Sequence, residues 1–411
     1  MNSRFPPEAF QEHLDKRRKA IANAEASKEL LDGAVQRFPE VVDYKSVESS
    51  FDDLAGFGIV FTAGGEGERL RLSLIGKGVS EESLCDFTKA TYPLKGFYED
   101  FGALQINLAM VGWICREYGV DMPVIVTTGP KGSVTDRVIP KIISKYNNFG
   151  ISNIKIIPQD ERLHFTVDEK IAVRLAAGSI LPVTHPDETG GPLMKLKRRI
   201  DMDGVDGPSI PLSARVSTQK TSAPAAPLQW LSAKGCEKLL IIQATALYDP
   251  RMLSGIAAAA KGRDCVGVGI PRKGFAPDDP FGTFVVVEKN GESALCIVEQ
   301  GIRNGGTRAI ADKNTGAHLP FNTGLYAVDC KLLESSELPD YATPPKEVLP
   351  GAPRSPKIGY AATDILPLAR RPVVLTVAPN MYSVIKSARD LESIADAADR
   401  FGLRETIGAW R

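Results

Sequence analysis

Apolar residues in this chain follow two rhythms. Short unbroken runs at Ile59-Val60-Phe61, Pro123 to Thr128, Ile154 to Ile157 and Leu239 to Gln243 have the length of strands buried on both faces. Elsewhere apolar residues recur every three or four positions. Phe101, Leu104, Leu108, Val111, Cys115 and Tyr118 form one such stripe, residues 135–147 read as a second helix and residues 250–261 as a third. Strand and helix therefore alternate, which predicts an α/β fold with a mixed, mainly parallel sheet and helices on both faces. Loops at the carboxyl ends of such strands are the default ligand site. Cys265 to Ile270, Thr283 to Glu288 and Ala294 to Val298 read as further strands, the last two joined at Asn290-Gly291, a hairpin signal. Val373 to Val377 reads as a final core strand. Ser387 then reads as the N-cap of a closing helix with Ala388, Leu391, Ile394, Ala395, Ala398 and Phe401 inward.

The same patterning divides the chain. Residues 7–38 read as a helix with a partial stripe of Phe10, Leu14, Ile21, Leu31 and Val35, either packed on the body or serving as a partner-binding arm. We divide the chain into a helical N-terminal extension (1–50), an α/β core (51–335) and a C-terminal segment (336–411). Residues 72–88, with Gly76, Gly78 and mixed charges, read as a mobile loop. Residues 201–227 are rich in Ser, Pro, Ala and Gly and read as a flexible insertion, and 339–357 as a Pro-rich loop. No internal repeat is present, so no β-helix tail is expected.

Composition narrows the class. The chain has 411 residues, 43% of them hydrophobic, zero net charge and a pI near 6.9, which argues against a generic nucleic-acid or anionic-membrane surface. Its six cysteines (Cys85, Cys115, Cys236, Cys265, Cys296 and Cys330) are scattered without a CxxC, as expected of buried free thiols in a reducing compartment. The polar N-terminus lacks an apolar signal core and no run approaches a membrane span. The expectation is a soluble, cytoplasmic protein.

Candidate chemistry is concentrated after the first strand, in Ala63-Gly64-Gly65-Glu66-Gly67-Glu68-Arg69-Leu70, followed by Thr88-Lys89-Ala90-Thr91-Tyr92-Pro93. Glycines let backbone N–H groups approach phosphate oxygens, and Arg69 and Lys89 supply neutralising charge. A P-loop would need GxxxxGK[ST], which is absent. A dinucleotide fingerprint fails because Leu70 stands at the third glycine position counted from Gly65, and Asp86 sits in a polar loop rather than at a strand end.

These residues resemble the nucleotide loop of sugar-1-phosphate nucleotidyltransferases, in particular the UDP-sugar, UDP-glucose and UDP-N-acetylglucosamine pyrophosphorylase branch. The resemblance continues in order through Pro158-Gln159, His185 to Gly191, Val268 to Lys273, Gly282, Val298-Glu299, Phe321 to Gly324 and Tyr382 to Lys386. It implies a Rossmann-like nucleotide-diphospho-sugar transferase core, a nucleoside triphosphate (UTP) and a sugar 1-phosphate as substrates, and Mg²⁺ as cofactor. It assigns Arg69, Lys89 and Lys386 to catalysis. Gly64, Gly65, Gly67, Gln159, Thr189 and Gly190 are assigned to the nucleotide, and Glu299, Asn322 and Gly282 to the sugar. One departure stands out. The family places a metal-binding aspartate after the strand matching Leu239 to Gln243, where this chain has Ala244-Thr245-Ala246. Asp187, Asp249 and Asp364 are the candidate substitutes, and Glu188 stands where relatives often have a small residue. A catalytically impaired nucleotide-sugar-binding regulator or scaffold is the alternative reading.

Overall fold

The buried apolar runs form the centre of one large sheet. A computed structural model describes residues 7–65, 67–95, 97, 101–176, 179–205, 225–275, 279, 281–347 and 354–410. The main sheet has twelve strands: Val35–Arg37 (β1), Val41–Asp43 (β2), Phe57–Thr62 (β3), Val124–Thr128 (β4), Ile154–Pro158 (β5), Asp203–Val205 (β6), Lys238–Gln243 (β7), Cys265–Arg272 (β8), Thr283–Lys289 (β9), Glu292–Val298 (β10), His318–Asp329 (β11) and Pro372–Thr376 (β12). The main path runs β6-β5-β4-β3-β7-β11-β8-β12-β2. Five of its eight pairings are parallel; β6 at the edge and β11 in the interior run against the rest. Strand β9 leaves this path, pairing with β1, β10 and one residue of β11.

Strand periodicity sorts the side chains into two layers. Ile59 and Phe61 share one face with Val124, Val126, Leu240 and Ile242, while Val60, Ile125, Leu239 and Ile241 share the other. The first face is covered by helices Glu68–Ile75 (α2), Ala103–Tyr118 (α3), Val134–Lys145 (α4), Arg251–Ala259 (α5), Asp390–Arg400 (α6) and Leu403–Trp410 (α7). The second is covered by the shorter Gly191–Lys195, Pro227–Ala233 and Cys330–Ser335 helices. The result is a helix–sheet–helix sandwich. The C-terminal segment is part of it, since β12 lies between β8 and β2.

Several sequence expectations change. The N-terminal helix Pro7–Gly33 (α1) stops at Gly33, and Val35 instead belongs to β1, 56% exposed. Pairing with the edge of β9 overrides the helical pattern there. The start of the presumed mobile loop, residues 72–75, is the second turn of α2. Leu70 and Leu74, four apart, bury against the core while Leu72 between them is 57% exposed. The closing helix starts at Asp390, not after Ser387, and the cap is reversed. The Asp390 carboxylate accepts bonds from the Lys386 and Ser387 amides at 2.8 and 2.6 Å. Most of the presumed insertion, 206–224, lies outside the described residues, but its flanks are ordered into β6 and the Pro227–Ala233 helix. The Pro-rich stretch contains two small ladders, Tyr341–Ala342 with Ile358–Gly359 and Lys346–Glu347 with Arg354–Ser355; 348–353 fall outside the described residues. The Asn290-Gly291 turn is as expected, both residues having positive φ, 55° and 82°.

Helix α1 packs on the body. His13 Nδ1 accepts from the Leu163 amide at 3.1 Å, and Arg18 donates to both Glu169 oxygens at 3.1 and 2.6 Å. The six cysteines are free thiols. Among the described residues, no helix is long and apolar enough to cross a membrane.

Candidate active site

Strand β3 has β4 on one side and β7 on the other, so the connections leaving β3 and β7 part company at their carboxyl ends. That is a topological switch point, where open α/β sheets form crevices. A cavity of about 730 Å³ opens there. Its walls combine the glycine loop after β3, Lys89, the Pro130–Val134 turn after β4, Gln159 after β5, the Thr184–Thr189 segment, and Gln243 and Thr245 after β7.

Two glycines are required by geometry. A Cβ on Gly64 would lie 1.7 Å from Gln159 Oε1 and 3.1 Å from the Thr128 carbonyl. Gly67 has φ +80°, and a Cβ there would lie 2.5 Å from Lys89 Cβ. The glycine loop therefore closes directly onto the residues predicted to handle base and phosphates. Gly65 differs: its absent side chain would point into open space. Arg69 falls in the first turn of α2, with Glu68, at the N-terminal end where the helix dipole favours anions. Its side chain lies outside what the structure describes.

Among the residues expected to meet the base, the Gln159 amide bonds to the Thr128 carbonyl at 3.0 Å and its Nε2 donates to the Glu188 carbonyl at 2.8 Å. Glu188, in the left-handed region at φ 61°, and Thr189 line the cavity. Gly190 is not among the lining residues. It serves close packing instead: its amide bonds to the Tyr360 carbonyl at 2.7 Å, and a Cβ would strike Tyr360 and Ala361 backbone within 2.9 Å.

The predicted sugar residues gather beside this cavity, brought by β9, β10, β11 and the C-terminal segment. The Asn322 amide donates to the Gly282 carbonyl at 2.8 Å, and Gly282 leaves room for Glu299, whose Oε1 would be 2.9 Å from a Cβ there. Asn322 Oδ1 already accepts from the Gly324 amide and the Tyr326 hydroxyl at 2.9 and 2.7 Å, so its Nδ2 is the group left to donate. Burial pushes the Glu299 carboxyl above its ordinary range, opposed by Lys386 and Arg303. The Ile385 amide bonds to the Thr245 carbonyl at 3.0 Å, which fixes Lys386 beside the end of β7. The side chain of Lys386 reaches solvent, but protein packed around its ammonium brings the pKa down to about 8, with Glu299 opposing and Lys89 reinforcing the shift. Lys386 thus lies near enough to Lys89 for the two ammonium charges to repel each other, although it is not among the residues lining the cavity.

No protein-family model and no curated protein matches this sequence. Solved structures do match. The UDP-N-acetylglucosamine pyrophosphorylase of Trypanosoma brucei, solved with an inhibitor, aligns over 94% of this chain and 75% of its own, with a TM-score of 0.65 and 14% identity. A variant of the UDP-glucose pyrophosphorylase of Leishmania major, solved with UDP-glucose, aligns over 94% of this chain and 79% of its own, with a TM-score of 0.60 and 13% identity. This chain has the UDP-sugar pyrophosphorylase fold.

Within that fold the metal question has a geometric answer. The three carboxylates named as substitutes do not converge. Asp249 is engaged by Arg251, through its amide at 3.0 Å, Nε at 2.9 Å and Nη2 at 2.5 Å. Burial, reinforced by the nearby Glu299 charge, pushes the pKa of Asp364 up to about 6. Asp187, between Pro186 and Glu188, is fully buried with neither carboxylate oxygen hydrogen-bonded. Among the described residues, no group of three or more His, Cys, Asp or Glu could hold a metal ion. Among the described residues, the side chains present do not form a Mg²⁺ site held by protein alone.

Asp187 carries a consequence of its own. Burial, reinforced by Asp160, pushes its pKa up to about 7. An acid raised in the folded state binds its proton more tightly there than in the unfolded chain, so it makes stability fall as pH rises from about 4 to about 7. Asp187→Asn is therefore expected to melt progressively higher than wild type across that window, by an increment on the order of a few kcal/mol. A constant difference in melting temperature from pH 4 to 7.5 would refute this.

The cavity also exposes residues that sequence reasoning missed. Lys131, Arg137, Glu161 and Lys357 line it, beside His185 and Gln243, which the sequence placed in the resembling stretch and at a strand end without a role. Lys131 and Arg137 had a legible signal, following a buried strand at the carboxyl end of the sheet. Lys357 had none, lying at the end of the stretch read as a Pro-rich loop and reaching the cavity through the small C-terminal ladders.

Proposed function

We propose that this chain is a sugar-1-phosphate nucleotidyltransferase that joins a sugar 1-phosphate to a nucleoside triphosphate, UTP by resemblance, releasing pyrophosphate. The observation that supports this reading is a crevice at the switch point lined by a glycine loop whose two constrained glycines pack against Lys89 and Gln159, with the Lys386 ammonium near enough to feel the Lys89 charge. One oxygen of the sugar phosphate attacks the α-phosphorus. The bond from that phosphorus to the α–β bridging oxygen breaks, and pyrophosphate leaves with its electron pair. The attacking monoester has a second pKa of about 6, so it is largely dianionic near neutrality and needs no general base. Catalysis then consists of positioning and charge neutralisation. Arg69 clamps the β- and γ-phosphates, Lys89 sits by the α- and β-phosphates, and Lys386 offsets charge on the sugar phosphate and the transition state. Gly64, Gly65 and Gly67 admit the phosphates, Gln159 and Thr189 contact the base, and Glu299 and Asn322 bind sugar hydroxyls. A Mg²⁺ ion would enter on the triphosphate itself. Free thiols fit work in the cytoplasm.

A second reading has its own observation: Thr245 offers no carboxylate at the end of β7, which favours a binder that holds nucleotide sugars without turnover. Pyrophosphate release measured over a panel of nucleoside triphosphates and sugar 1-phosphates separates the two. Turnover on at least one pair is expected. Saturable binding with no turnover on any pair would favour the second reading.

A further inference from the structure

Lys386 is surrounded by charge but held by none of it. Glu299, Asp279 and Asp390 attract its ammonium and Lys89 repels it, yet no carboxylate forms a salt bridge with it among the described residues. Asp390 is occupied by the Lys386 and Ser387 amides and the Ser387 hydroxyl. What the ammonium touches is the face of Phe281, 3.4 Å from the ring centroid. Phe281 stacks on Phe321, centroids 4.4 Å apart and planes 29° off parallel. The Arg272 guanidinium lies 5.3 Å from the Phe321 centroid. A lysine and an arginine thus flank a stacked pair of rings.

We propose that Phe281 is a positioning residue for Lys386, its ring face holding the ammonium over the proposed reaction centre. This rests on the nucleotidyltransferase reading. The physical reason is that a ring face attracts a cation without cancelling its charge. A contacting carboxylate would hold the lysine as firmly but would neutralise the charge that the phosphates need.

The segment carrying Phe281 is built to hold it. Asp279 pairs with Arg272 Nη1 at 2.8 Å, its main-chain carbonyl accepts from Arg303 Nη2 at 2.6 Å, and its Oδ1 accepts from the Phe281 amide at 3.0 Å. Gly282 follows immediately, tied to Asn322. Arg272 therefore acts twice, anchoring the segment through Asp279 and facing Phe321 in the ring pair.

The test replaces Phe281 in the full chain by 4-fluoro-, 3,5-difluoro- and 3,4,5-trifluorophenylalanine. These nearly preserve the ring's shape while making its face progressively less negative. Two readouts follow each variant. One is kcat and KM against pH. The other is competitive acetylation of Lys386 against pH, read by peptide mass spectrometry, which needs no turnover. A weaker ring face destabilises the ammonium, so the expected result is a stepwise fall in the Lys386 titration point. With it, kcat should decline to about a tenth by the trifluoro variant while the KM for the triphosphate stays within about twofold. Phe281→Leu, which keeps apolar bulk, should behave as the extreme of the series. A Lys386 titration unchanged across the series overturns the proposal. Failure of the wild-type chain to turn over with a titration that still moves would overturn the enzymatic reading and leave the ring contact standing.

Discussion

Lys386→Ala is expected to lower kcat/KM for pyrophosphate release at least about a hundredfold, the loss of about 2.7 kcal/mol of transition-state stabilisation. Lys89→Ala should do the same. Both lysines meet the transferring phosphates in the proposed mechanism, and their charge is most useful where water is partly excluded. Protein packed around the Lys386 ammonium lowers its pKa to about 8, although the side chain reaches solvent. The sign of the pH effect follows. Above that value the group loses its proton and its charge, so the wild-type rate should fall as pH rises through about 8. That limb should disappear in Lys386→Ala and move upward in Lys386→Arg, since a guanidinium does not titrate in this range. Thermal melting should barely change in Lys386→Ala, because the side chain is exposed and the cap at Asp390 is made through backbone amides. Wild-type turnover in both alanine variants would remove the two lysines from the reaction.

The second large effect is expected at Gly67. An alanine there must adopt φ near +80°, at a cost of roughly 1–2 kcal/mol for a residue with a Cβ. Its Cβ would also lie 2.5 Å from Lys89 Cβ and 3.4 Å from Lys89 Cα. These atoms are close to the backbone, so the Lys89 segment itself must move. Gly67→Ala is expected to lower the melting temperature by several degrees and kcat/KM by at least about tenfold, through displacement of the Lys89 ammonium. Gly65→Ala separates the two causes. Gly65 has no positive φ and its Cβ would meet nothing within 4 Å, so the fold should be unaffected. A raised KM for the triphosphate with unchanged melting would mark Gly65 as a place where phosphate approaches the backbone. Equal melting and equal kinetics in Gly67→Ala and wild type would contradict the described loop.

Much of the architecture was legible from local pattern alone. The runs at Ile59, Pro123, Ile154 and Leu239 are central strands because unbroken apolar segments of that length must be covered on both faces. The turn at Asn290-Gly291 followed from two residues that tolerate positive φ. Gly64 and Gly67 were legible as a loop, since glycine is the residue that admits close approach. Errors arose where a distant partner decided the outcome. Val35 fits a helical stripe but pairs with β9, and Ser387 has the chemistry of a helix cap but is itself held by Asp390.

By itself, then, the sequence determined the α/β alternation, the glycine loop and the residue types available for phosphate chemistry. These depend on chain periodicity and on side chains within a few residues of one another. The tertiary structure alone decided that Lys386 comes within electrostatic reach of Lys89, that Gly190 packs rather than lines the cavity, and that Phe281 lies under the ammonium. It also decided that Asp187 is buried without a hydrogen-bond partner, that Asp249 is held by Arg251 and that Asp364 lies near Glu299. Most such relations join residues separated by long stretches of chain, and only sheet order and packing bring them together.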